Sequence, residues 1–391
     1  MGALNILLMV LSSYRISKIL IIPNQCLGLW PKNNDLYKLD LYTLYASVAA
    51  LVILVGHNSC ALINIFYVYN DLQALAKIVF VATTNLQATF KMYTFVRNIK
   101  TFKQLLAALN SDLFRPKTSQ QFEIVKATLR TWRKAYAWFL TILCVIISMW
   151  SITPFLTGGV HNYQLPFDAW YPVEIKVSPN YELLYFYQLL CIWPISVGNI
   201  HVDSLFLAVM MYVKVQCEIL CEELRTLKDN ANFNTELINC VKHHKAILRF
   251  AQESNTFFSV IALGQMATST SVLALTMFQL SFVNPASGEG LGHILYITGI
   301  STQMHLYCWF GNTVEVKVST LSSQIISALY ESEWINQPPP VKKNLLILSI
   351  RCQRPIRMTA IGLFILSLET FIRILRSAWS YYAVLSSVNN D

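Results

Sequence analysis

Residues 183–212 read LLYFYQLLCIWPISVGNIHVDSLFLAVMMY, and Asp203 is the one Asp, Glu, Lys or Arg among them. The hydrocarbon core of a bilayer is about 30 Å thick, and a helix needs about 20 mostly apolar residues to cross it. The stretch therefore predicts a membrane-spanning helix. Apolar segments of similar length recur at 41–66, 72–94, 135–157, 256–283, 291–314 and 360–388. Together they predict an all-α membrane protein with seven transmembrane helices.

The composition of the whole chain agrees with a lipid environment. Of its 391 residues, 54% are hydrophobic and 13% are charged, whereas about a quarter are charged in soluble proteins. A soluble globular enzyme is disfavoured, and an aromatic-rich sequence of low charge is the opposite of a disordered one. The nine cysteines show no CxxC or CxxH spacing, so neither a zinc module nor a disulfide scaffold is indicated.

The positive charges predict the side of the membrane on which each loop lies. Cytoplasmic loops of membrane proteins carry an excess of Lys and Arg. Here the cations fall before the first span, at Arg15, Lys18, Lys32 and Lys38, and in the loops after the second, fourth and sixth spans. The alternate loops hold one cation, Lys176. The N-terminus is therefore predicted to be cytosolic and the C-terminus extracellular, the reverse of a G-protein-coupled receptor.

Several predicted helices are longer than the bilayer requires. The fourth, from Tyr181 to Leu227, and the fifth, from Thr235 to Val283, each measure about 70 Å at 1.5 Å per residue. Their inner parts carry apolar residues on one face, as at Leu220 and Leu224. These stripes predict a cytosolic helical bundle, which is either shared between subunits or closed within one chain.

The chain accordingly divides into a cytosolic segment at 1–40, a transmembrane domain at 41–388 and an extracellular tail at 389–391. The transmembrane domain includes a cytosolic anchor at 214–255 and 315–359 and an outer loop at 158–182. Pro355 suits the first turn of the last helix.

The outer half of the predicted bundle holds residues that could bind a small molecule. Pro194 and Gly198 interrupt the fourth span, and such breaks are tolerated where they line a cavity or pack on neighbours. Aromatic rings and hydroxyls at the same depth on other spans would complete a mostly apolar pocket. The predicted ligand-binding residues are Phe80, Thr84, Ile147, Trp150, Tyr187, Pro194, Ile195, Gly198, Tyr296 and Thr298. Ordinary helix packing is the alternative for each.

Ionisable groups within or near the spans have two interpretations. Lys77 and Lys91 stand near the ends of the second span, from which a lysine can extend its amine to the interface. A carboxylate such as Asp203 is usually paired or functional, and the alternative is that it reaches the inner interface or a hydroxyl. His201 points to a different helical face from Asp203, so a shared metal is not expected. His243 and its neighbour His244 are expected to be solvated on a cytosolic helix.

The last span is richer in hydroxyl groups than a lipid-facing helix needs. Its outer half contains Ser377, Ser380, Tyr381, Ser386 and Ser387 between aliphatic residues. Hydroxyls can line a water-filled path, and a ring of aliphatic side chains around the axis can close that path by dewetting. One helix cannot enclose a channel, but several copies around a symmetry axis can. At the inner boundary, Glu369 and Arg373 are spaced to pair.

Short motifs distributed over nearly the whole chain resemble those of the insect odorant receptors. They are LGLWP at 27–31, LPFDAWYP at 165–172, Asp203 with Leu205-Phe206, Gly311-Asn312, Ala328, Tyr330 and Trp334, RCQRP at 351–355, and SYYAVL at 380–385. The resemblance implies a ligand-gated, non-selective cation channel. It further implies a tetramer in which an odour-tuning subunit joins a common co-receptor through the cytosolic anchor helices.

The resemblance also implies roles for particular residues and partners. The last helix would line the pore, with a hydrophobic gate at Val384 and Val388 and with Tyr381 and Ser387 as further pore residues. Because the chain lacks the co-receptor's long second cytosolic loop, it looks like a tuning subunit. The implied partners are a small volatile odorant, the co-receptor in a heterotetramer, permeating Na⁺, K⁺ and Ca²⁺, and membrane lipid, with no nucleic acid and no cofactor. The implied location is the plasma membrane of a sensory neuron dendrite.

Other classes of protein fit less of the sequence. A metabotropic seven-helix receptor would place its C-terminus in the cytosol. A gustatory receptor channel of the same superfamily is a further alternative, against which the LPF motif of the outer loop argues. A secondary transporter is expected to show repeat symmetry, which the chain lacks, and no catalytic motif indicates an enzyme.

Overall fold

The computed structural model describes residues 25, 27–31, 40–109, 111–227, 233–331, 337–352 and 357–390. Predictions that concern the cations at 15, 18, 32 and 38, Trp334, the residues 353–355 and Asp391 lie outside these ranges. So does the side chain of Val388, although its backbone belongs to the last helix.

Long helices make up most of the described chain. They are α1 (Leu41–Val68, with a π-helical segment at Ala50–Gly56), α2 (Leu72–Arg97), α3 (Ile99–Ala108), α4 (Ser119–Leu156), α5 (Asn180–Arg225), α6 (Phe233–Leu280), α7 (Gly288–Glu331), α8 (Pro339–Cys352) and α9 (Leu368–Asn390). Single 3₁₀ turns occur at Asp112–Phe114 and Gly159–Asn162. A short hairpin, β1 (Thr359–Ala360) with β2 (Phe364–Ile365), precedes α9.

Side-chain caps fix where three of these helices begin. The Asp40 carboxylate accepts a hydrogen bond from the backbone amide of Thr43 at the start of α1. The Asp71 carboxylate accepts hydrogen bonds from the backbone amides of Gln73 and Ala74 in the first turn of α2. The Thr118 hydroxyl accepts from the Gln121 amide at the start of α4. These residues satisfy amides that the first helical turn leaves without an intrahelical partner.

Helix α5 lies at the centre of the molecule. It packs against α2, α4, α6 and α7, and 83% of its most apolar stretch is buried, compared with 22% in α1 and 28% in α4. Helices α1 and α4 instead expose large apolar side chains such as Leu51, Phe66 and Trp138. Exposed apolar surface of this extent indicates contact with lipid or with another subunit. The polypeptide therefore has a membrane-type helical fold.

Within the described residues, four helices are long and apolar enough to cross a membrane, namely α1, α4, α5 and α6. Helices α2, α7 and α9 coincide with the other predicted spans but do not meet that standard. Two of them carry polar residues such as Lys91 and Gln303, which are buried inside the protein. The expectation of seven spans and the predicted orientation of the termini therefore remain predictions.

The inner parts of α5 and α6 pack together within this single chain. Leu220, Leu224 and Leu237 are buried in one apolar core, so the predicted stripes are covered by the chain itself. Helix α8 nevertheless exposes Leu346, Ile347 and Ile350. Part of the apolar surface of the predicted anchor is thus buried within this chain, and part of it is exposed.

The last helix begins later than predicted. Helix α9 starts at Leu368 rather than at residue 360, and the short hairpin of β1 and β2 precedes it. Strand β1 is held by tertiary contacts, because the Thr359 amide donates to Asn255 Oδ1 of α6 at 2.8 Å. Gly362 completes the hairpin with a φ of 72°, a conformation that favours glycine.

Candidate functional site

A partly enclosed cavity of about 90 Å³ lies between α2, α4, α5 and α7. Its wall is almost entirely apolar, with a few hydroxyl and amide groups. Half of the predicted ligand-binding residues line it, namely Phe80, Thr84, Ile147, Trp150 and Tyr296. All ten predicted residues lie on these same four helices.

The other half of the predicted set lies outside the cavity wall. Tyr187 and Ile195 belong to a separate apolar cluster, and a Cβ on Gly198 would lie 2.7 Å from Met92 Sδ in the same cluster. Pro194 is partly buried within α5. Thr298 is exposed and its hydroxyl donates to a carbonyl of its own helix. On α5 the cavity is lined by the face that carries Ile192, Ser196 and Asn199, at the same depth as Pro194 and Gly198.

Several cavity residues were missed by sequence reasoning. They are Val81, Asn85, Phe139, Ile142, Leu143, Ile146, Phe167, Ile192, Ser196, Asn199, Ile200, Gly299, Ile300 and Gln303. Helical spacing offered a signal for some of them, because Phe139 and Leu143 lie on the same stripe of α4 as Ile147 and Trp150. No comparable signal existed for Phe167, which reaches the cavity from the outer loop.

Aromatic rings and one hydroxyl pair form the middle and outer parts of the wall. The Phe80 ring lies 5.4 Å from Tyr296 and 6.0 Å from Trp150 between ring centroids. Phe167 stacks on Trp150 at 6.0 Å. The Thr84 and Tyr296 hydroxyl oxygens are 2.6 Å apart. An apolar molecule would therefore contact mainly ring faces and edges.

A buried ion pair lies at the inner end of the cavity. Lys91 Nζ is 2.7 Å from Asp203 Oδ1, and the two side chains are 0% and 1% exposed. Asp203 also accepts hydrogen bonds from Gln303 and from the Tyr307 hydroxyl. The prediction that Lys91 extends its amine to the interface is wrong. Asp203 is a paired carboxylate, and the alternative that it reaches a hydroxyl is also borne out, because it accepts a hydrogen bond from Tyr307.

Two amides connect this ion pair to the cavity. Asn199 and Gln303 both line the cavity. Lys91 Nζ donates to Asn199 Oδ1 at 2.8 Å, and Gln303 donates to Asp203. Buried charges are tolerated when all their hydrogen-bonding capacity is used. The network accordingly fixes α2, α5 and α7 relative to one another at the base of the cavity.

The predicted pore residues lie on the free side of α9. Val384 is 59% exposed and Tyr381 55% exposed, and Ser387 is exposed as well. The opposite side of α9 packs against α6, where Ala378 is buried. At the inner end of the helix, Arg373 pairs with Glu369 at 2.8 Å as predicted.

The two neighbouring histidines on α6 are buried, so the prediction that they are solvated is wrong. His243 contacts Glu223 Oε2 at 3.0 Å and Gln216 Oε1 at 2.9 Å. Burial raises the pKa of Glu223, but hydrogen bonds from His243 and Lys117 outweigh it and the pKa lies below its usual value. Burial, together with the charges of Arg351 and His243, lowers the pKa of His244 to about 4.

The buried His244 is expected to make the protein sensitive to mild acid. In the unfolded chain the imidazole takes up a proton near pH 6.5, whereas in the folded protein it does so near pH 4. Stability is therefore lost as the pH falls from 6.5 towards 4, by about 1.4 kcal/mol per pH unit. Replacing His244 by Gln should shrink the fall in the thermal midpoint of the purified protein between pH 7.5 and 5.5. The exposed His161→Gln variant should behave as wild type, and an unchanged fall in the His244 variant would contradict the assignment.

No cluster of three or more His, Cys, Asp or Glu side chains that could hold a metal ion occurs within the described ranges. The site itself is a cavity with aromatic walls and a buried ion pair at its base.

A family model and several relatives match this chain. The model of the family described as 7tm Odorant receptor matches residues 71–379. Odorant receptor Or1 of Anopheles gambiae is 23% identical over 399 residues, covering 93% of each chain. Odorant receptor 10 of Aedes albopictus is 26% identical over 262 residues, covering 64% of this chain and 67% of the relative.

A solved structure matches over nearly the full length. The insect olfactory receptor OR5 from Machilis hrabei, in complex with eugenol, superimposes with a TM-score of 0.82, covering 99% of this chain and 100% of that chain. The sequence identity is 19%, so this likeness shows a shared fold. A second structure of the same receptor gives the same TM-score.

Proposed function

Because this chain belongs to the 7tm Odorant receptor family, we propose that it is an odour-tuning subunit of a ligand-gated, non-selective cation channel. Its relatives are receptors rather than enzymes. A small volatile molecule binds in the cavity between α2, α4, α5 and α7 and favours an open pore for Na⁺, K⁺ and Ca²⁺. The observation that carries this proposal is the aromatic-walled cavity, which is built on helices around the central α5.

The apolar wall sets the expected strength of binding. Burying about 200 Å² of apolar ligand surface at about 25 cal/mol/Å² contributes about 5 kcal/mol before the costs of association. Micromolar or weaker affinity and broad tuning follow. Since a ligand shifts an equilibrium only by its differential affinity, it must bind the open state more tightly than the closed one.

The proposed topology has seven spans in the plasma membrane, a cytosolic N-terminus and an extracellular C-terminus. The distribution of Lys and Arg among the loops supports this orientation. The proposed domains are the cytosolic segment at 1–40, the transmembrane domain at 41–388, with its anchor at 214–255 and 315–359, and the tail at 389–391. A C-terminal tag that antibodies reach only after permeabilisation would favour a metabotropic receptor instead.

The proposed assembly is a heterotetramer with the co-receptor, joined through the anchor. The exposed apolar residues of α8, Leu346, Ile347 and Ile350, support an intersubunit contact there. The free side of α9 would face the pore axis, with Val384 and Val388 at the gate. The subunit would act in the dendrite of a sensory neuron.

Truncating Trp150 to alanine tests the binding half of the proposal. The receptor, co-expressed with the co-receptor and screened against an odour panel under voltage clamp, should give inward currents. The Trp150→Ala variant should shift the half-maximal concentration of an agonist by about tenfold or more, because it removes a large part of the cavity wall. The reversal potential should not change, since Trp150 belongs to α4 and not to α9, the helix proposed to line the pore.

Trp138→Ala is the matched control for that experiment. Trp138 lies on the same helix but is 55% exposed and does not line the cavity, so its removal should leave odour sensitivity unchanged. Equal shifts in both variants would contradict the assignment of the cavity, and currents with no odorant dependence would contradict the function itself.

A further inference from the structure

Three side-chain nitrogens at the outer end of the cavity have no hydrogen-bond partner among the described residues. They are Trp150 Nε1 and both ring nitrogens of His293. The two rings touch edge to face with their centroids 5.4 Å apart, and His293 is 0% exposed. Buried polar groups in folded proteins are almost always paired. Three unpaired nitrogens in one small region therefore call for an explanation.

These nitrogens lie in the shell of rings around the cavity. Trp150 lines the cavity directly, and the His293 ring contacts Phe80, another wall residue, at 5.8 Å. Phe167 covers Trp150 from the outer loop. Its backbone is held on both sides by the Gln188 amide, at 3.0 and 2.8 Å. The loop is thus anchored over Trp150.

Other polar groups of the cavity are engaged within the protein. The Thr84 and Tyr296 hydroxyls bond to each other. Gln303 donates to Asp203, and the Asn199 carbonyl oxygen accepts from Lys91. The fully buried nitrogens without a partner beside this cavity are those of Trp150 and His293, among the residues that the structure describes. An indole N–H can only donate, and a neutral imidazole has one donor and one acceptor nitrogen.

From these unpaired nitrogens we infer that the ligand carries a hydrogen-bond acceptor, namely a carbonyl or ether oxygen. This oxygen accepts a hydrogen bond from Trp150 Nε1, and His293 is the neighbouring donor. The hydrocarbon body of the ligand then lies along Ile147 and Tyr296 towards the middle of the cavity. The inference rests on the proposed function, in which this cavity is the odorant site. A hydrocarbon of the same shape would leave the buried donors unpaired, and sites built in this way reject such analogues strongly.

Matched pairs of odorants that differ only in the acceptor test this inference. Benzaldehyde with styrene and acetophenone with 2-phenylpropene replace C=O by C=CH₂ at nearly constant size. The measured quantity is the ratio of half-maximal concentrations, hydrocarbon over carbonyl, for the receptor expressed with the co-receptor. The wild-type ratio is expected to be about tenfold or more.

Two variants remove the donors while retaining a ring. Trp150→Phe and His293→Phe should each lower the ratio at least about threefold. Phe80→Leu is the control, because it removes a ring from the same wall without removing a donor. It should shift both members of a pair together and leave the ratio unchanged. Surface labelling of each variant confirms that the protein reaches the membrane.

The outcomes separate this inference from the proposed function. Equal potency of the two members, activation by hydrocarbons alone, or ratios unchanged in both donor variants would overturn the inference while the receptor function stands. A surface-expressed receptor that responds to no volatile compound would overturn the proposed function and this inference with it.

Discussion

Replacing Asp203 by alanine is expected to abolish surface expression and odorant-evoked current. The substitution leaves the ammonium of Lys91, which is 0% exposed, buried without its counter-ion. Breaking a buried ion pair in this way costs about 3–5 kcal/mol of stability. The free energy of unfolding of a typical domain is only about 5–15 kcal/mol, so this loss is a large fraction of it. The hydrogen bonds from Gln303 and Tyr307 are lost at the same time.

Surface biotinylation and the thermal unfolding of detergent-purified protein measure this effect. The double variant Lys91→Met with Asp203→Leu should recover much of the surface signal, because replacing both partners by apolar residues removes the unpaired charge. Glu369→Gln is the matched control, since its pair with Arg373 is largely exposed and such pairs contribute little. Normal expression of the Asp203→Ala protein would show that the ion pair does not hold the helices together.

Introducing a carboxylate at Val384 is expected to produce current without odorant. In the proposed gate, Val384 belongs to a ring of aliphatic side chains that closes the pore by dewetting. A charged side chain at this position would keep the constriction filled with water. The basal current should then rise several-fold, and cations should be favoured more strongly over anions. Val384→Leu, which keeps the ring aliphatic, should leave the closed state intact.

The neighbouring Ala383→Asp variant separates a pore effect from a general effect of charge. Residue 383 is also exposed on α9 but is rotated by about 100° from Val384 on the helix. Patch-clamp recordings with ion substitution, normalised to surface expression, compare the variants. Basal current and selectivity that remain at wild-type values in the Val384→Asp receptor would remove Val384 from the pore.

The extent to which the sequence predicted the site differs between elements. On α4, the depth and the face were both evident, because Ile147 and Trp150 continue a single stripe. On α5, Pro194 and Gly198 lie at the depth of the cavity, but apolar side chains surround this central helix on every side. A sequence without a polar face cannot show which side of a helix meets a cavity, and here it is the side of Ser196 and Asn199.

Lys91 and the last span show why other predictions failed. A lysine near the end of a span can reach the interface or pair with a carboxylate, and its partner Asp203 lies 112 residues away on another helix. Residues 360–366 are as apolar as a membrane helix, but contacts with Asn255 hold the preceding residues as a strand. In both cases the deciding interaction connects distant parts of the chain.

The amino-acid sequence alone determined the membrane environment, the predicted number and orientation of the spans and the lengths of α5 and α6, because these follow from the apolar run length and the placement of charges. The family resemblance was also evident at this level, and the family model confirms it. The tertiary structure decided which helical faces enclose the cavity, which partner neutralises Lys91 and which ring nitrogens are left unpaired. These depend on contacts between helices distant in the sequence, and local periodicity carries no information about such contacts.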